Sequence, residues 1–343
     1  MTKLTFYGGV GEIGGNKILL EDQDTKIFLD FGMSFNQSGL YYSDFLMPRN
    51  CNGLGDYFET GLLPDLKGVY RQDYLRHMGR PKEDQDIDAV LISHAHMDHM
   101  SYLHHLRKDI QLVMSPGSHA ITQTFQETRA GGLNDLLIQS PAFQIRLGRG
   151  GDSYTKVTKR DGYETRPLNV CEYGKKFKVG DLEVVAYEVD HSLPGATAYL
   201  VHASEGTILY TGDYRFHGYL GDKTREMIEK VSSEDISAVI TEGTRITTEK
   251  GTSETEVYAH AKKLAENTNG LVVVTFPVRD LTRLSTFYKI ACETGRKLVI
   301  DFNQAYLLDQ YSKFSNRYPG SDDPNLCLFA PRKSWGLAGR IDV

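Results

Sequence analysis

The chain has little of what marks a secreted or membrane protein. Only four of its 343 residues are cysteines, and no two of them form a CxxC pair. We expect reduced thiols, because disulfide frameworks and metal knuckles need closer spacing. The opening MTKLTFYGGVGEIGG lacks a basic segment followed by an apolar core, and no apolar run approaches the roughly 18 residues of a membrane helix. These absences predict a cytoplasmic protein with no membrane partner.

The chain also lacks any excess of positive charge. Its formal net charge is −6, with 40% hydrophobic and 24% charged residues, which is ordinary for a soluble globular protein. Binding to nucleic acid would therefore need a local basic groove, since the overall field does not favour it. The length suffices for one large α/β domain or two smaller ones, and homo-oligomerisation is left open.

A dinucleotide-binding fingerprint is present only in outline. Gly9, Gly11 and Gly14 match GxGxxG. That fingerprint needs a helix directly after the glycines. The residues that follow, NKILLEDQDTKIFLD, are typical of a strand, a turn and another strand. We therefore interpret the glycines as a strand connection whose backbone passes close to another group.

The order of predicted elements indicates an α/β protein with two domains. Short strands joined by turns open the chain, and residues 37–85 form a loop-rich insertion with short helices. The apolar strand AVLIS then runs directly into SHAHMDHM. After about residue 216, longer helices alternate with strands, which is typical of a parallel α/β layout. We predict domains at 1–216 and 217–343.

The most specific feature is a cluster of histidines. The chain has 11 histidines, and three of them stand beside an aspartate within six positions: His94, His96, Asp98 and His99. Neutral imidazole and carboxylate are natural zinc ligands, and a loop after a strand lets them converge. The alternative, histidines placed for packing or solvation, would have to explain all three at one strand end.

A single loop cannot supply all the ligands of two metal ions, so further donors are expected at other strand ends. His191 in YEVDHSLPGA follows an apolar strand, and Asp213 in ILYTGDYRF follows another. Either residue alone would usually be a cap or turn residue. Because His191 and Asp213 both stand at strand ends in a chain that also has the histidine cluster, we predict that they bind metal together with that cluster.

Several segments together resemble a known family. The HxHxDH loop with a later histidine and a later aspartate resembles the pattern of the metallo-β-lactamase superfamily, and the resemblance is closest to its ribonuclease J-like β-CASP nucleases. FYGGVGEIGGNKILLE and IFLDFGMSF resemble the opening hairpins of those nucleases. YTGDYRF resembles the family's aspartate motif, and AVITEGTR its first β-CASP motif. The resemblance covers most of the chain and least of 37–85. It implies a metallo-β-lactamase αββα sandwich followed by a partial β-CASP domain.

The resemblance also implies a dinuclear site with two zinc ions, or manganese in their place. One metal would be held by His94, His96 and His191 and the second by Asp98 and His99, with Asp213 bridging. Two metals a few ångströms apart suit phosphodiester cleavage, because they activate water and clamp the phosphoryl oxygens. Asp98 and Asp213 would be the catalytic carboxylates, with Asp98 orienting the attacking water.

Two features leave alternatives open. Glu242 in AVITEGTR either caps the following turn or orients a ligand histidine from behind. The family has two further histidine motifs after its inserted domain, whereas beyond His217 this chain has only His260, on an amphipathic helix. We expect either an amino-terminal portion of such a nuclease or a shortened relative.

Three functions follow in order of preference. The first is a metal-dependent ribonuclease acting on single-stranded RNA, with exonuclease and endonuclease action both open. The second is a hydrolase of a small ester, thioester or lactam on the same site. The third is a shortened, non-catalytic protein that binds RNA. Basic residues, among them Arg245, Arg279, Arg283 and those of 146–166, could line the strand path.

Overall fold

The fold is described from a computed structural model of the chain. The described residues are 1–43, 45–128, 135–143, 145–147, 150–151, 154–156, 164–247 and 251–330. Arg149, Lys159 and Arg160 lie outside these ranges. Arg146 and Lys156 lie in strands for which only the backbone is described.

Nine α-helices occur in these ranges. They are α1 Phe35–Tyr41, α2 Gly55–Glu59, α3 Gln72–His77, α4 Met97–Met100, α5 Pro116–Thr128, α6 Gly221–Val231, α7 Glu254–Glu266, α8 Leu281–Glu293 and α9 Phe302–Ser312. Two 3-10 helices span Asn50–Asn52 and Ser101–His105. Among the described residues, no helix is long and apolar enough to cross a membrane.

Seventeen strands are assigned in the same ranges. The first ten are β1 Lys3–Phe6, β2 Ile18–Asp22, β3 Thr25–Leu29, β4 Ala89–Leu91, β5 Gln111–Met114, β6 Ile138–Gln139, β7 Ile145–Leu147, β8 Tyr154–Lys156, β9 Glu164–Thr165 and β10 Leu168–Val170. The others are β11 Lys176–Val179, β12 Leu182–Glu188, β13 Thr197–Ala203, β14 Gly206–Tyr210, β15 Ile236–Ile240, β16 Leu298–Ile300 and β17 Leu326–Leu328.

Two mixed sheets form the centre of the fold. The first has the order β1-β2-β3-β4-β5-β10, and the second has the order β11-β12-β13-β14-β15. β1 to β3 pair antiparallel, as the sequence predicts for an opening meander, and β3, β4, β5 and β10 run parallel. The second sheet is antiparallel except for β15, which runs parallel to β14.

Alternation along the strands explains how the layers stack. In β2, Ile18 and Leu20 pack into a core shared with the second sheet, whereas Leu19 packs into a core shared with α5, α8 and α9. Successive strand side chains point to opposite faces, so a strand with both faces covered is apolar throughout. On the outer face of the second sheet, Met227 of α6 packs against Leu200. The layers are therefore helix, sheet, sheet and helix, which confirms the predicted αββα sandwich.

The structure departs from the sequence-based description in the carboxyl-terminal part. GLVVVTFPV was expected to be a strand, but residues 271–277 belong to no assigned helix or strand. The predicted strand 236–240 exists, yet it completes the second sheet of the sandwich. The division of the chain at residue 216 stays a prediction, although β15 lies beyond it in sequence.

Candidate metal centre

The predicted donors lie on loops at one edge of the two sheets. His94 and His96 follow β4, and the chain then turns into α4, which carries Asp98 and His99. His191 comes three residues after β12, and Asp213 comes three residues after β14. The structure therefore brings together all six side chains predicted as ligands, from positions up to 119 residues apart.

Four of these side chains form one compact group. His94, His96, His191 and Asp213 each offer a donor atom, and these atoms all lie within 4.8 Å of one another. His96 Nδ1 lies 2.8 Å from His94 Nε2 and 3.1 Å from His191 Nε2. Three imidazole nitrogens that converge in this way fit a shared cation. Three imidazoles and one carboxylate are a donor set that suits a divalent transition metal.

Asp213 faces two groups at once. Its Oδ2 lies 3.9 Å from His94 Nε2 and 3.7 Å from His191 Nε2. Its Oδ1 lies 3.4 Å from His99 Nε2, and Asp98 Oδ2 lies 3.6 Å from the same nitrogen. One oxygen of Asp213 therefore faces His94 and His191, and the other faces His99. This arrangement fits a carboxylate shared between two cations.

A buried aspartate that the sequence analysis missed orients these histidines. Asp30 is fully buried directly after β3 and accepts a hydrogen bond from His99 Nδ1 at 2.7 Å. It also accepts hydrogen bonds from the backbone N–H (2.7 Å) and hydroxyl (2.6 Å) of Ser93, whose Oγ lies 3.0 Å from His94 Nδ1. Tyr210 donates to the same carboxylate. Asp30 thus turns the Nε2 atoms of His94 and His99 toward the site.

The sequence did carry a signal for Asp30. IFLDFG places an aspartate at the end of an apolar strand, the same pattern that singled out Asp213. Asp30 also has a positive φ of 58°, a conformation that glycine, asparagine and aspartate adopt more readily than other residues.

Burial keeps three of the histidines ready to bind a cation. It lowers the pKa of His94 well below the ordinary value and, helped by neighbouring histidines, lowers the pKa of His96 to about 3. Burial likewise lowers the pKa of His191 to about 4. Burial opposes charge on His99 too, but the Asp30 and Asp213 carboxylates outweigh it and raise its pKa well above the ordinary value. Neutral imidazole is the form that binds metal.

The surroundings also shift the pKa values of the carboxylates Asp213 and Asp98 in opposite directions. Burial opposes the charge of Asp213, but hydrogen bonding and charge from His99 lower its pKa to about 2. Burial raises the pKa of Asp98. The two carboxylates predicted as catalytic therefore lie in unlike surroundings. Asp213 is held in its ionised form, whereas burial makes the ionised form of Asp98 unfavourable unless a cation lies beside it.

A buried ion pair holds two of the ligand loops together. Asp190 and Arg215 form an isolated β-bridge, and the Arg215 Nε lies 3.1 Å from the Asp190 Oδ2. Asp190 directly precedes His191, and Arg215 follows Asp213 by two residues. The bridge therefore fixes the spacing between those two donors.

Glu242 contacts the same loop. Its Oε1 accepts a hydrogen bond of 3.0 Å from the backbone N–H of Tyr214, next to Asp213. Among the described residues it has no hydrogen bond to a histidine. Its contact is thus with the Asp213 loop, and the predicted role of orienting a ligand histidine stays a prediction.

The glycine-rich connection passes against Asp98. Gly14 has φ of 77°, and a Cβ there would lie 2.5 Å from the Asp98 Cβ. A Cβ on Gly32 would overlap the Asp98 carbonyl group. The backbone N–H of Asn16 donates to that carbonyl at 3.1 Å. The close backbone approach expected from the glycines therefore occurs, and it is directed at the metal-ligand loop.

A cavity of about 620 Å³ opens onto this part of the site. Its wall includes Asp98, His99 and Asp213 from the candidate metal centre, together with Glu12 and Glu242. Phe6, Val10 and Ile13 line it as well and are partly exposed. Its described lining residues include four carboxylates and no lysine or arginine. Without bound cations, such a cavity would repel an anion.

Comparison with known proteins identifies the family. The model of the β-lactamase superfamily domain matches residues 63–268, more than half of the chain. The chain belongs to this superfamily. The match includes all six predicted ligands, and with the donor cluster it confirms the predicted class, a metal-dependent hydrolase.

The curated relatives are ribonucleases. The chain is 24% identical to ribonuclease J of Pyrococcus abyssi over 314 residues, which are 87% of this chain and 58% of that protein. It is 25% identical to ribonuclease J of Mycobacterium tuberculosis over 308 residues, covering 86% of this chain and 44% of that protein. The chain thus spans about half the length of these relatives. The predicted resemblance to ribonuclease J is confirmed.

A solved structure shares the fold. A protein of unknown function from Enterococcus faecalis superposes with a TM-score of 0.70 at 24% identity, covering 96% of this chain and 73% of that chain. The similarity extends through the carboxyl-terminal α/β part as well as the sandwich. It supports the fold and carries no information on activity.

Proposed function

We propose that this chain is a metal-dependent ribonuclease that hydrolyses phosphodiester bonds of single-stranded RNA. The observation that carries the proposal is the cavity that ends on Asp98, His99 and Asp213 in a chain whose curated relatives are ribonucleases J. Its volume lies within the range of roughly 300 to 1,000 Å³ that is usual for ligand sites. The cavity is therefore large enough for a nucleotide.

The proposed ligands are those predicted from the sequence. His94, His96 and His191 would hold one cation and His99 with Asp98 the other, while Asp213 would offer one oxygen to each. Divalent cations supply Lewis acidity, which acidifies water and withdraws charge from phosphoryl oxygens. Zinc is the proposed metal, with manganese as the alternative.

Asp98 is the proposed residue that orients the attacking water. Its carboxylate lines the cavity, and burial raises its pKa, so its affinity for a proton exceeds that of Asp213. Asp213 would remain ionised and hold its position through His99 and the Asp190–Arg215 bridge. The division of roles follows from these unlike surroundings.

The approach to the cavity supports a single-stranded substrate. Phe6 is 47% exposed at the wall and could stack on a base, as aromatic side chains do in single-strand sites. Arg279 lies over the Phe125 ring and donates to the Ala95 carbonyl, between the ligand histidines. Arg245 is exposed. These two arginines remain the proposed phosphate contacts.

Two other basic residues do not fit that role. Arg283 is paired with the buried Glu254 at 2.8 Å, so its charge is already compensated. Arg166 is buried and donates to backbone carbonyls of Leu103, Leu106 and Arg107. The expectation that these residues line the strand path is therefore not met.

A β-CASP-like domain is proposed within residues 217–343, of which α6 and β15 pack with the sandwich. The parallel pair β16 and β17 and the helices α7 to α9 agree with an α/β domain. Cytoplasmic location and homo-oligomerisation stay predictions. A hydrolase of a small ester, thioester or lactam is the second candidate, because the cavity is also large enough for such a molecule.

The test is cleavage of end-labelled single-stranded RNA by the purified chain with added zinc or manganese. Asp213→Ala, prepared identically, is the inactive control, and a lactam and a thioester are offered in parallel. Metal-dependent RNA products that disappear in the variant would support the proposal, and their lengths would separate exonuclease from endonuclease action. Turnover of the small ester or lactam with intact RNA would replace it by the second candidate. RNA bound without cleavage would favour the non-catalytic reading.

A further inference from the structure

Asn16 is the one neutral side chain that approaches His99 from the glycine-rich connection. Its Nδ2 lies 3.2 Å from the His99 Nε2, the nitrogen that faces Asp98 and Asp213. His99 Nδ1 is hydrogen-bonded to Asp30, so Nε2 is the ring nitrogen that can bind a metal ion. Asn16 also lines the cavity. It was not among the residues singled out from the sequence.

The distances around His99 Nε2 fit one set of ligands. The amide of Asn16, the Oδ1 of Asp213 and the Oδ2 of Asp98 lie 3.2, 3.4 and 3.6 Å from that nitrogen. Donor atoms at about 2.1 Å from one cation are separated by roughly 3.0 to 3.4 Å in octahedral or tetrahedral geometry, a range that includes the first two distances and ends just below the third. A half-turn of the amide exchanges its nitrogen and oxygen, which places the oxygen among these donors.

The backbone keeps the amide in place. Asn16 N–H donates to the Asp98 carbonyl at 3.1 Å, and the Asn16 carbonyl accepts from Gly32 N–H at 3.0 Å. Gly9 lies against the amide, where a Cβ would collide with it. The position of Asn16 relative to the ligand loop is thus set by main-chain hydrogen bonds and by the absence of a side chain at Gly9. A substitution at residue 16 keeps those main-chain bonds.

We propose that Asn16 is the fourth protein ligand of the second cation, beside Asp98, His99 and Asp213, and that this makes the two metal positions chemically unlike. This inference rests on the dinuclear site of the proposed function. The first position has three imidazoles and one carboxylate, which suits zinc. The second has one imidazole and three oxygens, and carbonyl and carboxylate oxygens suit manganese. The chain would then hold one zinc and one manganese ion.

The experiment measures metal content and needs no substrate. The metal-free chain is loaded with one equivalent of zinc and then with excess manganese, because zinc outcompetes manganese when both are offered equally. It is freed of loosely bound ions and analysed for both metals by mass spectrometry. Manganese affinity is then titrated calorimetrically on the zinc-loaded protein. Three variants are compared with the unchanged chain: Asn16→Ala, Asn16→Asp and Asn36→Ala. Asn36 is an exposed asparagine that lines the same cavity, and in the described structure it has no contact with His99.

The expected result is one zinc and one manganese per chain. Asn16→Ala should keep zinc and bind manganese at least tenfold more weakly. Asn16→Asp keeps an oxygen donor and should bind manganese as tightly or more tightly, and Asn36→Ala should match the unchanged chain. Retained zinc in Asn16→Ala shows that this variant is folded.

Three results would overturn the inference. Unchanged manganese affinity in Asn16→Ala would remove Asn16 from the ligand set, as would a weakened affinity in Asn16→Asp. A single bound metal in the unchanged chain would remove the second position altogether. Binding of both metals without any RNA cleavage would instead overturn the proposed function and leave this inference standing.

Discussion

Asp30 Oδ2 lies 2.7 Å from His99 Nδ1, and both side chains are buried. This carboxylate–imidazole pair sets which nitrogen of His99 faces the site, and through Ser93 the same carboxylate also orients His94. Such partners behind a ligand typically change metal affinity by ten- to a hundredfold. The pair therefore links the loop after β3 to metal binding.

Asp30→Asn should weaken metal binding tenfold or more while the chain still folds. The amide keeps the size of the carboxylate but loses its charge and part of its capacity to accept hydrogen bonds. Calorimetric titration of the metal-free protein measures the effect. Asp24→Asn, in an exposed turn of the neighbouring hairpin, should bind metal unchanged. Equal affinity in both variants would show that Asp30 has no part in holding His99.

Gly32→Ala should destabilise the fold and disturb the ligand loop, because its Cβ would overlap the Asp98 carbonyl group. We expect a loss of about 2 kcal/mol or more in the free energy of unfolding. The matched substitution is Gly39→Ala in the exposed helix α1, where a Cβ meets nothing within 4 Å. There the change should stabilise the chain by up to about 1 kcal/mol. Denaturant unfolding of both variants checks the contrast, and similar effects would contradict it.

The burial of Lys17 should make the free energy of unfolding increase with pH in the alkaline range. Its ammonium is buried, donates to the Gly15 and Gly32 carbonyls, and has its pKa lowered by burial to about 8. Below pH 8 the lysine binds its proton in both the folded and the unfolded chain. Between about pH 8 and 10 only the unfolded chain keeps it, so the free energy of unfolding should rise with pH, by about 2 kcal/mol from this residue.

Denaturant unfolding at pH 7, 8, 9 and 10 measures this rise. Lys17→Met should lack it, and Lys67→Met, which removes an exposed lysine, should retain it. Parallel stability profiles for the unchanged chain and Lys17→Met would show that burial of Lys17 does not affect its protonation.

RNA binding should depend on bound metal. The cavity wall carries Glu12, Asp98, Asp213 and Glu242 and has no lysine or arginine among its described lining residues. Phosphate should be repelled until cations compensate these carboxylates. A fluorescence titration with a short single-stranded RNA should therefore show at least tenfold weaker binding after chelation, restored by zinc or manganese. Tight binding to the chelated protein would place the RNA site away from this cavity.

Local sequence pattern accounts for most of what could be predicted. His94, His96, Asp98 and His99 stand in one segment, and a strand before a polar residue is visible in the sequence for His191 and Asp213 as well. Strand alternation and the absence of a helix after Gly14 likewise predicted the opening hairpins correctly. These features depend on neighbours along the chain.

What could not be predicted depends on contacts between distant segments. The amide of Asn16 and the carboxylate of Asp30 reach His99 only because β3 lies between β2 and β4 in the folded sheet. Nothing in the residues around Arg166 shows that backbone carbonyls of a distant loop surround its guanidinium. The strand expected at 271–277 also requires a neighbouring strand, which local apolar pattern cannot reveal.

Anomalous diffraction from crystals of the metal-loaded protein locates the bound cations. Two metal peaks are expected on opposite sides of Asp213, one among His94, His96 and His191 and one beside His99. A single peak, or peaks that Asp213 does not contact, would contradict the shared carboxylate on which the proposed chemistry depends.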